Sequence, residues 1–379
     1  MKTILTLPLP AQSPGTSRHL KLHRWGEIGA SPKIYLQASL HADEIPAMLV
    51  AQHLIGLLDA AEREGRILGE IVLVPAVNPI GMGQVLDGTH LGRYELNSGE
   101  NFNRGFADLV PMAAERLKGR LGPDAAANVA LIRTTCRAIL EESAPQGELA
   151  ALRRLLMLHA IDADIVLDLH CDDDALMHLY LGEARWPDGA DLSADLGSRA
   201  TMLAADSGGA SFDEIFSNMW ARFRTVMGTE HPIPDASLAA TVELRGRADV
   251  SDELASADAA ALMRYMMRQG AVAGDPGPLP PAQCDGTSLA AVDWLRAPVA
   301  GLLVYKQALG ARVSKGDLIA EIVDPLADDP AKARTEVRTI TDGLIISRRT
   351  RLLARPGQAI AKIVGSVVLP TRTGALLDP

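Results

Sequence analysis

"KIYLQASLHADEIPAMLV" (33–50) joins two kinds of periodicity within a few residues. Residues 33–40 read as a buried strand, and residues 44–64 carry apolar positions at helical spacing. A buried strand that turns directly into an amphipathic helix is half of a βαβ unit, which requires a sheet covered on both faces. The turn itself holds His41-x-x-Glu44. One reading is a pair of metal ligands. The other is helix capping, with Asp43 as N-cap and Glu44 placed favourably in the first turn, near the positive end of the helix dipole. In a chain with nine histidines the motif alone does not choose.

The same alternation continues outward. Strands are expected at 70–77 ("EIVLVPAV", stopped by Asn78-Pro79), 164–170 ("DIVLDLH"), 177–181 ("MHLYL") and 239–245 ("AATVELR"). Residues 124–162 read as helical, and 251–270 as a helix between an N-cap at Ser251 and a terminating Gly270. This pattern predicts an α/β fold, with a mixed, mostly parallel sheet flanked by helices.

The Pro/Gly-rich segment "GDPGPLPPAQCDG" (274–286) marks a boundary, giving domains at 1–285 and 286–379. Beyond it "GLLVYKQALGARVSKGDLIAEIV" (301–323) repeats as "GLIISRRTRLLARPGQAIAKIV" (343–364), with Gly301 matching Gly343 and Ile322 matching Ile363. Two similar β-rich halves predict a small two-fold, all-β C-terminal domain. It resembles the biotinyl/lipoyl-type barrel-sandwich domain. The connection between the halves offers only Lys332, outside the usual attachment context, so the domain reads as structural cover or an oligomerisation module. A homo-oligomer is the protein partner this leaves open.

Composition narrows the function. A net charge of −10 supplies no basic field for nucleic acid. Cys136, Cys171 and Cys284 are odd in number and far apart, which fits a reducing compartment and offers no thiolate zinc site. The N-terminal apolar run is short and interrupted by prolines, unlike a signal peptide, and no window has the length of a membrane span. The expectation is a cytoplasmic protein, with no membrane or nucleic-acid partner.

Three ionisable residues fall at predicted strand ends: His41, His170 and Glu243. Ligands of open α/β sheets bind outside the carboxyl ends of the strands, so the three converge on one crevice. Catalytic zinc commonly takes two histidines and a glutamate, keeping one position open for water. His41 and Glu44 reach one ion from one turn, and His170 supplies the third ligand. Asp168 shares a strand face with His170 and is placed to orient it, although a structural carboxylate serves as well. Asp173 is an alternative ligand, and Cys171 should point away. His159-x-x-Asp162, His53, His178 and His231 read as structural. A zinc site needs a carboxylate to take and return a proton, for which Glu243 is the candidate. The loop "GRYELNSGENFNRGF" (92–106) supplies Arg93 and Asn101-Phe102-Asn103-Arg104, suited to anion recognition.

In order and spacing, His41-x-x-Glu44, Asn-x-Asn-Arg at 101–104, Asp-Leu-His at 168–170 and Thr-Val-Glu at 241–243 resemble the succinylglutamate desuccinylase/aspartoacylase family of the zinc carboxypeptidase superfamily. That resemblance implies a zinc-carboxypeptidase-like fold with one Zn²⁺ per chain on His41, Glu44 and His170. It makes Glu243 the general acid/base, Asn103 and Arg104 the grip on a substrate carboxylate, and Arg93 the group that polarises the scissile carbonyl. Ala42 replaces a glycine common in the first motif, and Asn101 stands where many relatives carry an acid supporting a zinc-ligand histidine. Arg245 and Arg247 either read a distal acid or are surface charge. The implied activity is a zinc-dependent deacylase of a small N-acyl amino acid, such as N-acetyl-diaminobutyrate, N-succinylglutamate or N-acetylaspartate, in which a zinc-bound water attacks the amide. The alternatives are a metallocarboxypeptidase acting on short peptides and a non-catalytic zinc- or ligand-binding protein.

Overall fold

In the computed structural model, which describes residues 1–377, the opening segment forms the strand Lys33–Ala38 and the helix Pro46–Arg63. Every residue of that strand is buried, because helices cover it on both sides. It sits near the middle of a nine-stranded sheet. We label its strands in chain order as β1 (Thr3–Pro8), β2 (His19–Trp25), β3 (Lys33–Ala38), β4 (Glu70–Val74), β5 (Ile165–Asp172), β6 (His178–Gly182), β7 (Thr201–Ala204), β8 (Leu238–Gly246) and β9 (Gly286–Ser288). Their spatial order is β1-β2-β4-β3-β5-β8-β6-β7-β9. The central run β4-β3-β5-β8 is parallel, whereas β1, β2 and the β6/β8 pairing are antiparallel. The expected mixed, mostly parallel sheet is therefore what forms.

Alternation along the central strands sorts their side chains into two apolar layers. Tyr35, Val72 and Val166 face one layer, with the helices Ala125–Glu142, Gly147–Ala160 and Phe212–Met227. Leu36, Leu73 and Leu167 face the other, with the helices Pro46–Arg63 and Asp252–Arg268. Burying one such leucine is worth about 2 kcal/mol, so a one-residue register slip in these strands is strongly disfavoured.

Local differences from expectation have physical causes. The helical stretch 124–162 is two helices, because Pro145 interrupts it between Glu142 and Gly147. The second strand ends at Val74, ahead of Pro75 and Asn78-Pro79. Ser251 caps its helix as expected, accepting from the Leu254 N–H. Asp43 does not cap. The helix starts at Pro46 without a side-chain cap, and the Asp43 carboxylate pairs instead with Arg247.

The repeat in the C-terminal segment forms two interlocked halves. Strands at Gly301–Tyr305, Arg312–Val313 and Leu318–Val323 recur as Gly343–Arg348, Leu353–Ala354 and Ala359–Val364. The short middle strand of each half pairs with the first strand of the other. Gly301 and Gly343 occupy equivalent places, where a Cβ would lie 2.5 and 2.4 Å from the carbonyl oxygens of Val323 and Val364. That close approach explains why both positions are glycine. The large sheet runs one strand past residue 285, since β9 pairs with β7.

This β-domain is fastened to the large sheet. Met202, Leu289, Leu344 and Ile346 share one apolar cluster, Asp174–Ala175 pairs with Arg348 and Ser347, and Lys362 Nζ lies 2.6 Å from Asp172 Oδ2 and 3.0 Å from Tyr180 Oη. The Lys362–Asp172 pair retains only 15% and 19% side-chain exposure. Removing one partner therefore strands a largely desolvated charge. Lys362→Met is expected to destabilise the protein by about 2–3 kcal/mol, somewhat less than for a fully buried pair. A denaturation midpoint unchanged by the substitution would refute this.

Candidate metal and acyl-binding site

The site lies at the carboxyl ends of β3, β5 and β8. From β3 the chain passes to β4 on one side and later to β5 on the other, so the crevice opens at a topological switch point. Just past β3 the backbone turns sharply, with Ser39 in the left-handed region (φ 62°). This costs about 1 kcal/mol or more for a non-glycine residue. Ser39 Oγ donates to the Glu44 carbonyl at 2.7 Å, and the Glu44 N–H donates to the His41 carbonyl at 3.0 Å. His41 and Glu44 are thereby held on one turn. Ala42 packs against Gly81, where a Cβ would meet its methyl group at 2.8 Å. The missing side chain at Gly81 makes room for the alanine.

His41, Glu44 and His170 come together, with one potential ligand atom from each lying within 4.8 Å of the others. His41 Nδ1 is 3.0 Å from Glu44 Oε1, and His170 Nδ1 is 2.6 Å from Glu44 Oε2. The far side of each ring is also engaged. The Asn103 backbone N–H donates to Asn101 Oδ1 at 2.9 Å, which identifies that atom as the acceptor. His41 Nε2, 2.8 Å from the same oxygen, therefore carries a proton. Burial also lowers the His41 pKa, favouring the neutral ring. Its Nδ1 lone pair then points at a carboxylate, an arrangement that a cation between them satisfies. Asn101 thus holds the outer nitrogen of the His41 ring.

On the other side, His170 Nε2 lies 2.9 Å from Asp168 Oδ2, a charge contact rather than an aligned hydrogen bond. Asp168 is fully buried and held by Gln37 Nε2 at 3.0 Å, and Gln37 in turn by Tyr35 Oη at 2.9 Å. Two carboxylates flank His170, and despite burial their charge lifts its pKa well above the ordinary value. The two imidazoles in turn hold the Glu44 carboxylate well below its usual range, although burial opposes this. The donor set of two imidazole nitrogens and a carboxylate suits a borderline divalent ion. Asp168→Ala is expected to weaken metal binding by roughly 10–100-fold, read by competition with a chromophoric chelator. Unchanged affinity would make Asp168 a purely structural carboxylate.

Glu243 sits beside His170 in register on β8. Its Oε2 is buried without a hydrogen-bond partner. Burial, then the charges of Glu44 and Asp172, push its carboxyl up to about 8, and a cation at the triad acts in the opposite direction. Arg93 Nη1 lies 3.3 Å from His41 Nδ1 and 3.6 Å from Glu44 Oε1. The loop carrying it lies flush on the motif, since a Cβ on Gly92 would stand 2.1 Å from the Asp43 nitrogen. Asn103 Oδ1 accepts from the Phe212 N–H at 2.8 Å, tying the same loop to the helix Phe212–Met227. Arg104 Nη1 donates to the Asn103 carbonyl at 2.7 Å.

His41, Glu44, Arg93, Asn103, Arg104, His170 and Glu243 line one cavity of about 630 Å³, the size of a small-molecule site. Asp173 is not in the ligand cluster, its carboxylate lying 3.1 Å from Arg247 Nε. Cys171 is outside it too. Its N–H donates to Glu44 Oε2 at 3.3 Å, while burial pushes its thiol pKa up. Of the two later arginines, Arg245 pairs with Asp258, and Arg247 lines the cavity. His159, His53 and His178 contribute nothing to the cluster.

The cavity also includes residues absent from the sequence-based expectation. Ser211, Asp213 and Glu214 come from the start of the helix Phe212–Met227. "SFDE" (211–214) is a capping-box signature, and that signal was readable locally. Lys362 and residues 348–351 come from the β-domain. Nothing in their local sequence indicates that placement.

Residues 30–132 match the model of the succinylglutamate desuccinylase/aspartoacylase catalytic domain. The match covers His41, Glu44, Arg93, Asn103 and Arg104. Solved structures extend the likeness of fold over nearly the whole chain. A succinylglutamate desuccinylase/aspartoacylase family protein from Shewanella amazonensis superposes with a TM-score of 0.81 at 24% identity, covering 96% of this chain and 98% of that one. One from Shewanella frigidimarina gives 0.80 at 24% identity, over 96% and 97%. The product-bound ectoine utilization protein EutE (DoeB) from Ruegeria pomeroyi gives 0.67 at 17% identity, over 96% and 94%. A search of curated proteins returns no match. Among the described residues, no helix is long and apolar enough to cross a membrane.

Proposed function

We propose that the protein is a zinc-dependent amidohydrolase that removes the acyl group from a small N-acyl amino acid, with residues 1–285 as the hydrolase domain and 286–379 as a β-domain closing its cavity. One juxtaposition carries this reading. The His41–Glu44–His170 donor set and the buried Glu243 carboxyl, with one oxygen unpartnered, face the same cavity. A Zn²⁺ held by the three donors supplies Lewis acidity and lowers the pKa of water. The other tasks fall to side chains. Glu243 takes a proton from the attacking water and returns it to the leaving amine. Arg93 stabilises negative charge developing on the carbonyl oxygen. Asn103 and Arg104 hold the substrate carboxylate and fix its orientation.

The cavity's size and its wall of β-domain residues favour a small molecule over a peptide. A neighbour described as an ectoine utilization protein with bound product is in keeping with that choice. The test is hydrolysis by metal-loaded protein of acetylated and succinylated amino acids, set beside dipeptides with free C-termini. Release of amino acid from the N-acyl compounds alone supports the deacylase. Cleavage of the peptides alone would make it a carboxypeptidase. No turnover at stoichiometric zinc would leave a binding protein.

A further inference from the structure

The cavity has a basic edge contributed by the β-domain. The stretch "RRTR" (348–351) ends the strand Gly343–Arg348 and opens the turn after it, and Arg348, Arg349 and Arg351 all line the cavity. Several basic groups around this space are answered by acids. Arg348 Nη2 is 2.7 Å from Asp174 Oδ2, Lys362 pairs with Asp172, and Arg247 pairs with Asp43 and Asp173. Arg349 and Arg351 differ. Among the described residues neither guanidinium has a hydrogen bond or ion pair, and Arg349 Nε is buried without a partner. Carboxylates are not scarce in a chain with 47 acids against 37 bases. Arg349 is half-buried and Arg351 lies exposed at the rim beside it; the unanswered Arg349 guanidinium carries a desolvation cost that an incoming anion relieves.

We propose that Arg349 and Arg351 form a second anion subsite, which binds a substrate carboxylate other than the one held by Asn103 and Arg104. The preferred substrate is then an N-acyl amino acid with an extra acid on its acyl group or side chain. A diamino compound, with an ammonium facing this edge, is disfavoured. The subsite rests on the deacylase reading. It also gives the β-domain a part in selecting the substrate, and guanidinium forks are suited to bidentate carboxylate recognition.

The test compares kcat/KM of the zinc-loaded protein on N-acetylalanine, N-succinylalanine and N-acetylglutamate. Wild type is expected to prefer the two-acid substrates by roughly tenfold or more, the equivalent of one charge-assisted contact. In the double variant Arg349→Met/Arg351→Gln that preference falls at least about tenfold, mainly through KM. Arg355→Gln, at an exposed β-domain arginine outside the cavity, leaves the preference in place. An equal loss on one-acid and two-acid substrates, or no loss, overturns the subsite. Succinate binding by calorimetry decides independently of turnover. It should weaken at least about tenfold in the double variant while acetate binding does not, and unchanged succinate affinity refutes the proposal. If wild type hydrolyses nothing, the deacylase reading fails, and the succinate titration still decides the anion site.

Discussion

Glu243→Gln lowers kcat by roughly 10²–10⁴-fold, the usual share of a positioned general acid/base, while the protein binds as much zinc as wild type. Glutamine keeps the shape and hydrogen-bonding reach of the side chain and removes its ability to carry a proton. The carboxyl is well placed for this change to be diagnostic. It is outside the metal-ligand group, it is buried with one oxygen unpartnered, and its strand neighbour is His170. Burial and the surrounding acids raise its pKa, so it holds a proton near neutrality more readily than an exposed glutamate. A base must first be unprotonated, so wild-type kcat/KM rises with pH through that group's apparent pKa, and the variant loses this limb. Undiminished amide hydrolysis by Glu243→Gln at full zinc occupancy would remove Glu243 from the mechanism.

Glu44→Gln is expected to abolish activity by another route, reducing bound metal well below one equivalent. The carboxylate gives the donor set its negative charge and contacts both imidazoles. A neutral amide also places an NH₂ group against the imidazole nitrogens that face Glu44, one of them the Nδ1 lone pair of His41. A weakened structural or catalytic zinc site forfeits much of a large binding free energy. Elemental analysis after gel filtration, with activity at increasing added zinc, separates this variant from Glu243→Gln. The Glu44 variant loses metal and is partly rescued by excess zinc, whereas the Glu243 variant keeps metal and is not rescued. Stoichiometric zinc in Glu44→Gln would mean that the ion sits elsewhere.

Much of this was legible before any coordinates, for an identifiable reason. His41, His170 and Glu243 each lie at or just past the end of an apolar strand, with Glu44 on the same turn as His41, and strand ends on one sheet edge are neighbours whatever the loops between them do. The chemistry of the Asn-x-Asn-Arg loop gave the expectation of an anion-binding element, and the loop does line the cavity. Its anchoring was not, because the Phe212 N–H that holds Asn103 comes from a helix over a hundred residues away. The capping reading of Asp43 failed for a similar reason. A local preference for the helix N-terminus lost to an ion pair with Arg247, in the turn after a strand distant in sequence.

The sequence by itself determined the alternation of buried strands and helices, the two-fold repeat of the β-domain and the ligand types of the site, because these follow from local periodicity and side-chain chemistry. Only the tertiary structure decided which imidazole nitrogens face Glu44, since that depends on Asn101 and Asp168 behind the rings. It alone placed Lys362, Arg349 and Arg351 in the cavity. Their position depends on how the β-domain docks against the large sheet through long-range packing and ion pairing, and local sequence carries no signature of that docking.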